Sequence, residues 1–123
     1  MSELINKCQK ALVTVDRYYD ASLQQVRSSL LIDGKLSRDN LDLEQHSAHG
    51  LSWIAAYRAT LKETVNWAIE LENSNSFTEV EKLMLEITFS EYCAQIKSGI
   101  PMSQLEYVRP QDMGLKNGLF TES

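Results

Sequence analysis

Apolar residues recur along the first part of the chain at Cys8, Leu12, Val15, Tyr19, Leu23, Val26 and Leu30, in steps of three and four. Their mean spacing of about 3.7 residues matches the α-helical repeat. Ser2 stands where a cap is wanted ahead of a helix opening at Glu3, and Gly34, just after Ile32 and Asp33, suits the left-handed residue that closes one. The spacing predicts a helix over residues 3–33, about 45 Å long at 1.5 Å per residue. Such a helix cannot bury its apolar stripe unaided and needs partners of similar length.

After a short connection at 35–38, Ser37 or Asp39 is placed to cap a second helix, and Asp39, Asp42 and Glu44 near its start favour the positive end of the helix dipole. So brief a loop between long helices predicts an antiparallel hairpin. The second helix, Asn40 to Leu71, carries one stripe of Leu51, Ile54, Leu61, Val65 and Ala68 and another of His49, Trp53, Ala56, Thr60 and Trp67. Two stripes ask for two neighbours. Gly50 lies within this pattern at a cost of up to about 1 kcal/mol relative to alanine, which points to a close approach by another part of the molecule or a ligand.

The run Asn73-Ser74-Asn75-Ser76 reads as a turn, followed by two overlapping capping boxes, Ser76 with Glu79 and Thr78 with Glu81. They predict a third helix from about Thr78 to the Ser98-Gly99-Ile100-Pro101 stop. Val80, Leu83, Met84, Ile87 and Ala94 fall on one side of it and Leu85, Phe89, Tyr92 and Ile96 on another, so a central or doubly covered position is expected. Periodicity fades after Met102. The expected architecture is all-α: a long antiparallel helical hairpin, a third helix packed on it, and an irregular C-terminal arm. Residues 1–110 form the bundle domain and 111–123 a linker or tail.

Composition narrows the function. Apolar residues make up 43% and charged residues 24% of the 123 positions, with five Gly and two Pro, the profile of one folded domain. A formal charge of −5 with twelve scattered basic residues argues against a nucleic-acid partner. The sequence has neither an apolar run of about 20 residues nor the order of a signal peptide, so no membrane partner and a cytoplasmic location are expected. Cys8 and Cys93 lack C-x-x-C company and read as buried apolar side chains rather than a disulfide or zinc site.

Candidate chemistry gathers on the second helix. His46 and His49 share a face with Asp42 and Gln45, yet bundle metal sites draw histidine ligands from more than one helix, and the other helices supply none. No metal site is therefore expected, and the pair is read as structural or as a ligand or interface contact. Trp53, Tyr57 and Arg58 belong to the residue types concentrated at binding hot spots, although packing and inter-helix pairing use them too. Phosphate-binding glycine loops, a Ser-His-Asp order and a recognisable carboxylate pair are missing from the sequence. No catalytic residue is assigned.

Taken together, LDLEQHSAHGLSWIAAYRATL, FSEYCAQIKSGIPMSQLEYVRPQDMGL and the helical pattern between them resemble the N-terminal helical extension of flavin-dependent acyl-CoA dehydrogenases, in the branch like methylsuccinyl-CoA dehydrogenase. The matching positions are Leu41, Asp42, Gln45, His49, Gly50, Trp53 and Tyr57, then Glu91, Tyr92, the run Gly99 to Gln104, and Val108-Arg109-Pro110. The resemblance implies that FAD, the acyl-CoA pocket and the catalytic glutamate reside in a partner or downstream core and not in these residues. It further implies a non-catalytic accessory or assembly domain that docks on such a core or pairs with a second copy. The surfaces expected to serve are those of His46, His49, Gly50, Trp53, Tyr57, Arg58, Gly99, Pro101 and Arg109. The alternative is a small-ligand or metal-binding helical bundle using the His46/His49 face.

Overall fold

The computed structural model describes residues 2–103 and 106–115. Helix α1 spans Glu3–Leu30, and the Ser2 hydroxyl caps it by accepting the Ile5 amide at 3.2 Å. The chain then turns through a two-residue hairpin, β1 (Leu31–Ile32) against β2 (Lys35–Leu36), before α2 (Arg38–Leu43) and α3 (Gln45–Asn73). Helix α4 covers Glu79–Ser98. A second small antiparallel pair, β3 (Ile100–Pro101) with β4 (Tyr107–Val108), leads into a 3₁₀ turn at Pro110–Met113. The all-α expectation holds, with two minimal hairpins added to it.

Helix α1 stops three residues short of the expected end. Asp33 and Gly34 both take positive φ, 53° and 77°, the requirement of a tight hairpin turn whose twist matches the flanking strands. Gly34 is thus left-handed as anticipated, but as a hairpin residue rather than as the residue closing a helix. The expected single second helix is divided at Glu44 (φ −106°, ψ 19°), which lies between α2 and α3. Ser37, one of the two anticipated caps, accepts the Asn40 amide at 3.3 Å.

Helices α1 and α3 run antiparallel. The Ser2 amide donates to the Glu72 carboxylate at 2.9 Å, and Arg58 pairs with Asp16, so numbers rise along one helix as they fall along the other. Helix α4 returns antiparallel to α3, with Tyr57 against Tyr92 and Gln95 at one end and Trp67 beside Met84 further along. The core between the three helices contains Ile5, Val15, Tyr18, Ile54, Leu61, Val65, Leu85, Phe89 and Ile96, and the arm closes it with Ile100, Val108 and Met113. The α1 stripe is rotated slightly from the expected one. Tyr18 and Ser22 are buried where Tyr19 and Leu23 are only half-buried. On α3 the stripe from Ile54 to Ala68 is buried as its spacing implied.

Helix α4 departs most from expectation. Leu85, Phe89 and Ile96 face the core, but Val80, Leu83, Met84 and Ile87 are exposed, so among the described residues it is covered on one side only. Among the described residues, no helix is long and apolar enough to cross a membrane.

Candidate interaction surfaces

The residues singled out from the sequence fall into three neighbouring groups. The first lies at the start of α3, where exposed His46 and His49 border a polar pocket of about 360 Å³ with Asp42, Gln45 and Glu106. The indole N–H of Trp53 donates to His49 Nε2 at 3.1 Å. Among the described residues, no group of three or more His, Cys, Asp or Glu side chains is arranged to hold a metal ion.

The second group is an aromatic ladder between α3 and α4. Trp53 meets Tyr57 edge-on with ring centroids 6.5 Å apart, and Tyr57 stacks on Tyr92 at 4.7 Å. The Tyr57 hydroxyl donates to the Gln95 side-chain carbonyl. Burial, with Tyr92 beside it, pushes the Tyr57 phenol above its ordinary pKa. One residue on and about 100° round the helix, Arg58 faces α1 instead. Its Nε lies 2.5 Å from Asp16 Oδ1, and its guanidinium sits 4.8 Å from the centre of the Tyr19 ring. The hydrogen bond to Asp16 raises the Arg58 pKa further and keeps the cation fixed on this seam. Tyr57 and Arg58 thus join helices to one another, and each has a partner within the chain.

The third group is the arm. Gly99 ends α4 at φ 138° and packs against Tyr107 and Arg109, while Pro101 pairs with Tyr107 across the β3–β4 hairpin. The Arg109 amide donates to Asp112 Oδ2 at 2.8 Å, which fastens the 3₁₀ turn, and its guanidinium reaches over the Tyr107 ring at 5.9 Å. Gly50 receives this arm. A Cβ there would stand 2.6 Å from Val108 Cγ2, so the close approach suspected at this glycine is made by the chain's own buried valine. The packed structure extends through Met113, which is buried, to Gly114 and Leu115. The rest of the segment read as a tail, 116–123, falls outside the described residues, as does Gln104.

Sequence reasoning located Val80, Leu83, Met84 and Ile87 but assigned them to packing. Their exposures are 64%, 57%, 52% and 60%. Beside them the α3–α4 seam opens into a groove of about 570 Å³ lined by Ala59, Thr60, Glu63, Thr64, Trp67, Met84 and Thr88. The signal was present in the helix itself, which is apolar on two opposite sides.

No family model matches the chain. Among curated proteins, (2S)-methylsuccinyl-CoA dehydrogenase of Cereibacter sphaeroides is 40% identical over 118 residues, which is 96% of this chain and 22% of that protein. The chain is therefore related to part of an acyl-CoA dehydrogenase and spans about a fifth of the length of the relative it matches.

Proposed function

We propose that the chain acts as a non-catalytic accessory or assembly domain, equivalent to the N-terminal part of an acyl-CoA dehydrogenase, and that it docks on a flavin-containing dehydrogenase core. The observation that carries this reading is the reach of the likeness, which runs through nearly all of the chain and yet occupies 22% of the relative. A segment that has kept two-fifths of its residues over its whole length is held by its own fold and by what that fold touches. In this reading FAD, acyl-CoA and the reacting groups belong to the remaining part.

The test is purification of the tagged full chain from its own host. Co-purification in fixed ratio of a flavin-bearing acyl-CoA dehydrogenase is the expected result. Recovery of the chain without any flavoprotein would overturn the reading. A second reading takes the pocket of Asp42, Gln45, His46, His49 and Glu106 as a small-ligand site, because it gathers two carboxylates and two imidazoles at one opening. A thermal-shift screen with acyl-CoAs and divalent metal salts separates the two, since a ligand of the folded state raises the melting temperature in step with its concentration over Kd.

A further inference from the structure

We infer that the exposed face of α4 is a docking surface for a protein partner that presents an apolar ridge flanked by lysine and arginine. On the reading proposed above, that partner is the dehydrogenase core. Val80, Leu83, Met84 and Ile87 follow one another at helical spacing on the side of α4 opposite Leu85 and Phe89, and Trp67 and Thr64 extend the apolar surface across the groove onto α3. Isolated apolar side chains on a surface are ordinary, but a contiguous patch with a groove beside it marks a place where another surface sits.

The rim of the patch selects the occupant. Glu63 lines the groove, and Glu79, Glu86 and Glu91 are exposed around the stripe. Lys82 is 3.6 Å from Glu79, so these two charges largely offset one another and Glu63, Glu86 and Glu91 leave the rim acidic. The chain as a whole carries −5. A second copy of this chain joined across a two-fold axis would set the patch against itself and bring one acidic rim against the other, an arrangement that like-charge repulsion penalises. A partner with a basic rim gains steering and register from the same charges.

The experiment titrates the full chain against two labelled helical peptides that share one leucine-lined face, flanked in one by Lys and Arg and in the other by Glu, with binding read by fluorescence anisotropy. The basic-flanked peptide should bind at least about tenfold more tightly and weaken as salt is added. Ile87→Glu and, separately, Leu83→Glu should reduce its binding by at least about tenfold while leaving the far-UV circular dichroism melt unchanged, since both side chains are exposed. Equal binding of the two peptides, or binding of neither, would overturn the inference. So would sedimentation velocity showing a dimer of the chain that Ile87→Glu dissociates, which gives the face to a second copy. Should a dehydrogenase core co-purify equally well with the Ile87→Glu chain, docking lies elsewhere and this inference alone falls. Binding of the basic peptide with no core recovered would leave the surface standing and remove the wider reading.

Discussion

Gly50 and Val108, far apart in sequence, meet so closely that a single methyl group on the glycine would stand 2.6 Å from the valine's Cγ2. Alanine is the better helix former by up to about 1 kcal/mol, so propensity alone would make Gly50→Ala stabilising. The steric demand wins, because Val108 is wholly buried where the arm meets α3 and has no free side to which it can shift. Gly50→Ala should therefore lose about 1–3 kcal/mol in urea unfolding, the usual range for overpacking. In a Val108→Ala background the same change should cost clearly less, because the 2.6 Å contact with Cγ2 is gone and only the 3.1 Å approach to Cβ remains. Equal losses in both backgrounds would dismiss the steric account.

Arg58 joins α3 to α1 through Asp16 and the Tyr19 ring, with about a third of each ionic side chain still in water. Solvent screening keeps the worth of such a pair small. Arg58→Ala should cost about 1 kcal/mol, combining the pair with the cation–π contact. Arg58→Lys should recover only part of that, because an ammonium cannot reproduce the planar guanidinium. A double-mutant cycle with Asp16→Asn should give a coupling that shrinks as salt is raised. A coupling indifferent to salt would contradict the picture.

The start of α4 gives a pH dependence on the acid side. The Thr78 hydroxyl and its amide, the latter at 3.2 Å, both donate to the Glu81 carboxylate, and the hydroxyl bond is the larger reason that the Glu81 pKa is lowered from 4.5. A folded value below the unfolded one means the contribution is fully present above about pH 4.5 and is lost as pH falls through the folded value. Glu81→Gln should flatten that part of the melting-temperature profile, as followed by circular dichroism. An unchanged profile in the variant would refute the assignment.

An alkaline counterpart comes from the free, neighbouring thiols of Cys8 and Cys93. Burial is the main cause, with Cys93 and Glu86 nearby, of the Cys8 thiol being pushed up from 9.0 to about 11. Burial raises Cys93 as well. Because the folded values exceed the unfolded ones, the thiols add stability below pH 9.0 that is withdrawn at more alkaline pH, for Cys8 as pH rises toward about 11. At neutral pH the native protein should react with iodoacetamide far more slowly than the same protein in urea, by mass spectrometry. Equal rates would show that these thiols are not protected by the fold.

Much of the fold was legible because long helices write their buried side into the spacing of apolar residues, as Ile54, Leu61, Val65 and Ala68 do on α3. The Ser2 and Ser37 caps and the Thr78 boundary were legible for a related reason, since side chains that stand in for missing backbone partners are few. The two hairpins were missed for want of length. Strands of two residues leave no alternation to read, and only Asp33-Gly34 carried the turn signal. The slip from Tyr19 to Tyr18 reflects a stripe whose edge both residues occupy. At the candidate sites, sequence found the right helices but not the directions taken by Tyr57, Arg58 and Gly50, which are settled by neighbours distant in the chain. The exposed α4 stripe was visible as letters, and only the packed molecule reveals that nothing in the described residues covers it.

Two polar links across the α1–α3 seam fall fourteen positions apart on each side, Ser2 to Asp16 and Arg58 to Glu72. They behave as two pegs on a ruler about 21 Å long, and both fit only while the helices carry equal numbers of residues between them. Adding one residue to either helix within that interval would turn one peg by about 100° away from its hole. Insertions at the Asp33-Gly34 loop, outside the interval, leave both seated. Length variation in this chain should therefore be tolerated at the loop and refused along the seam.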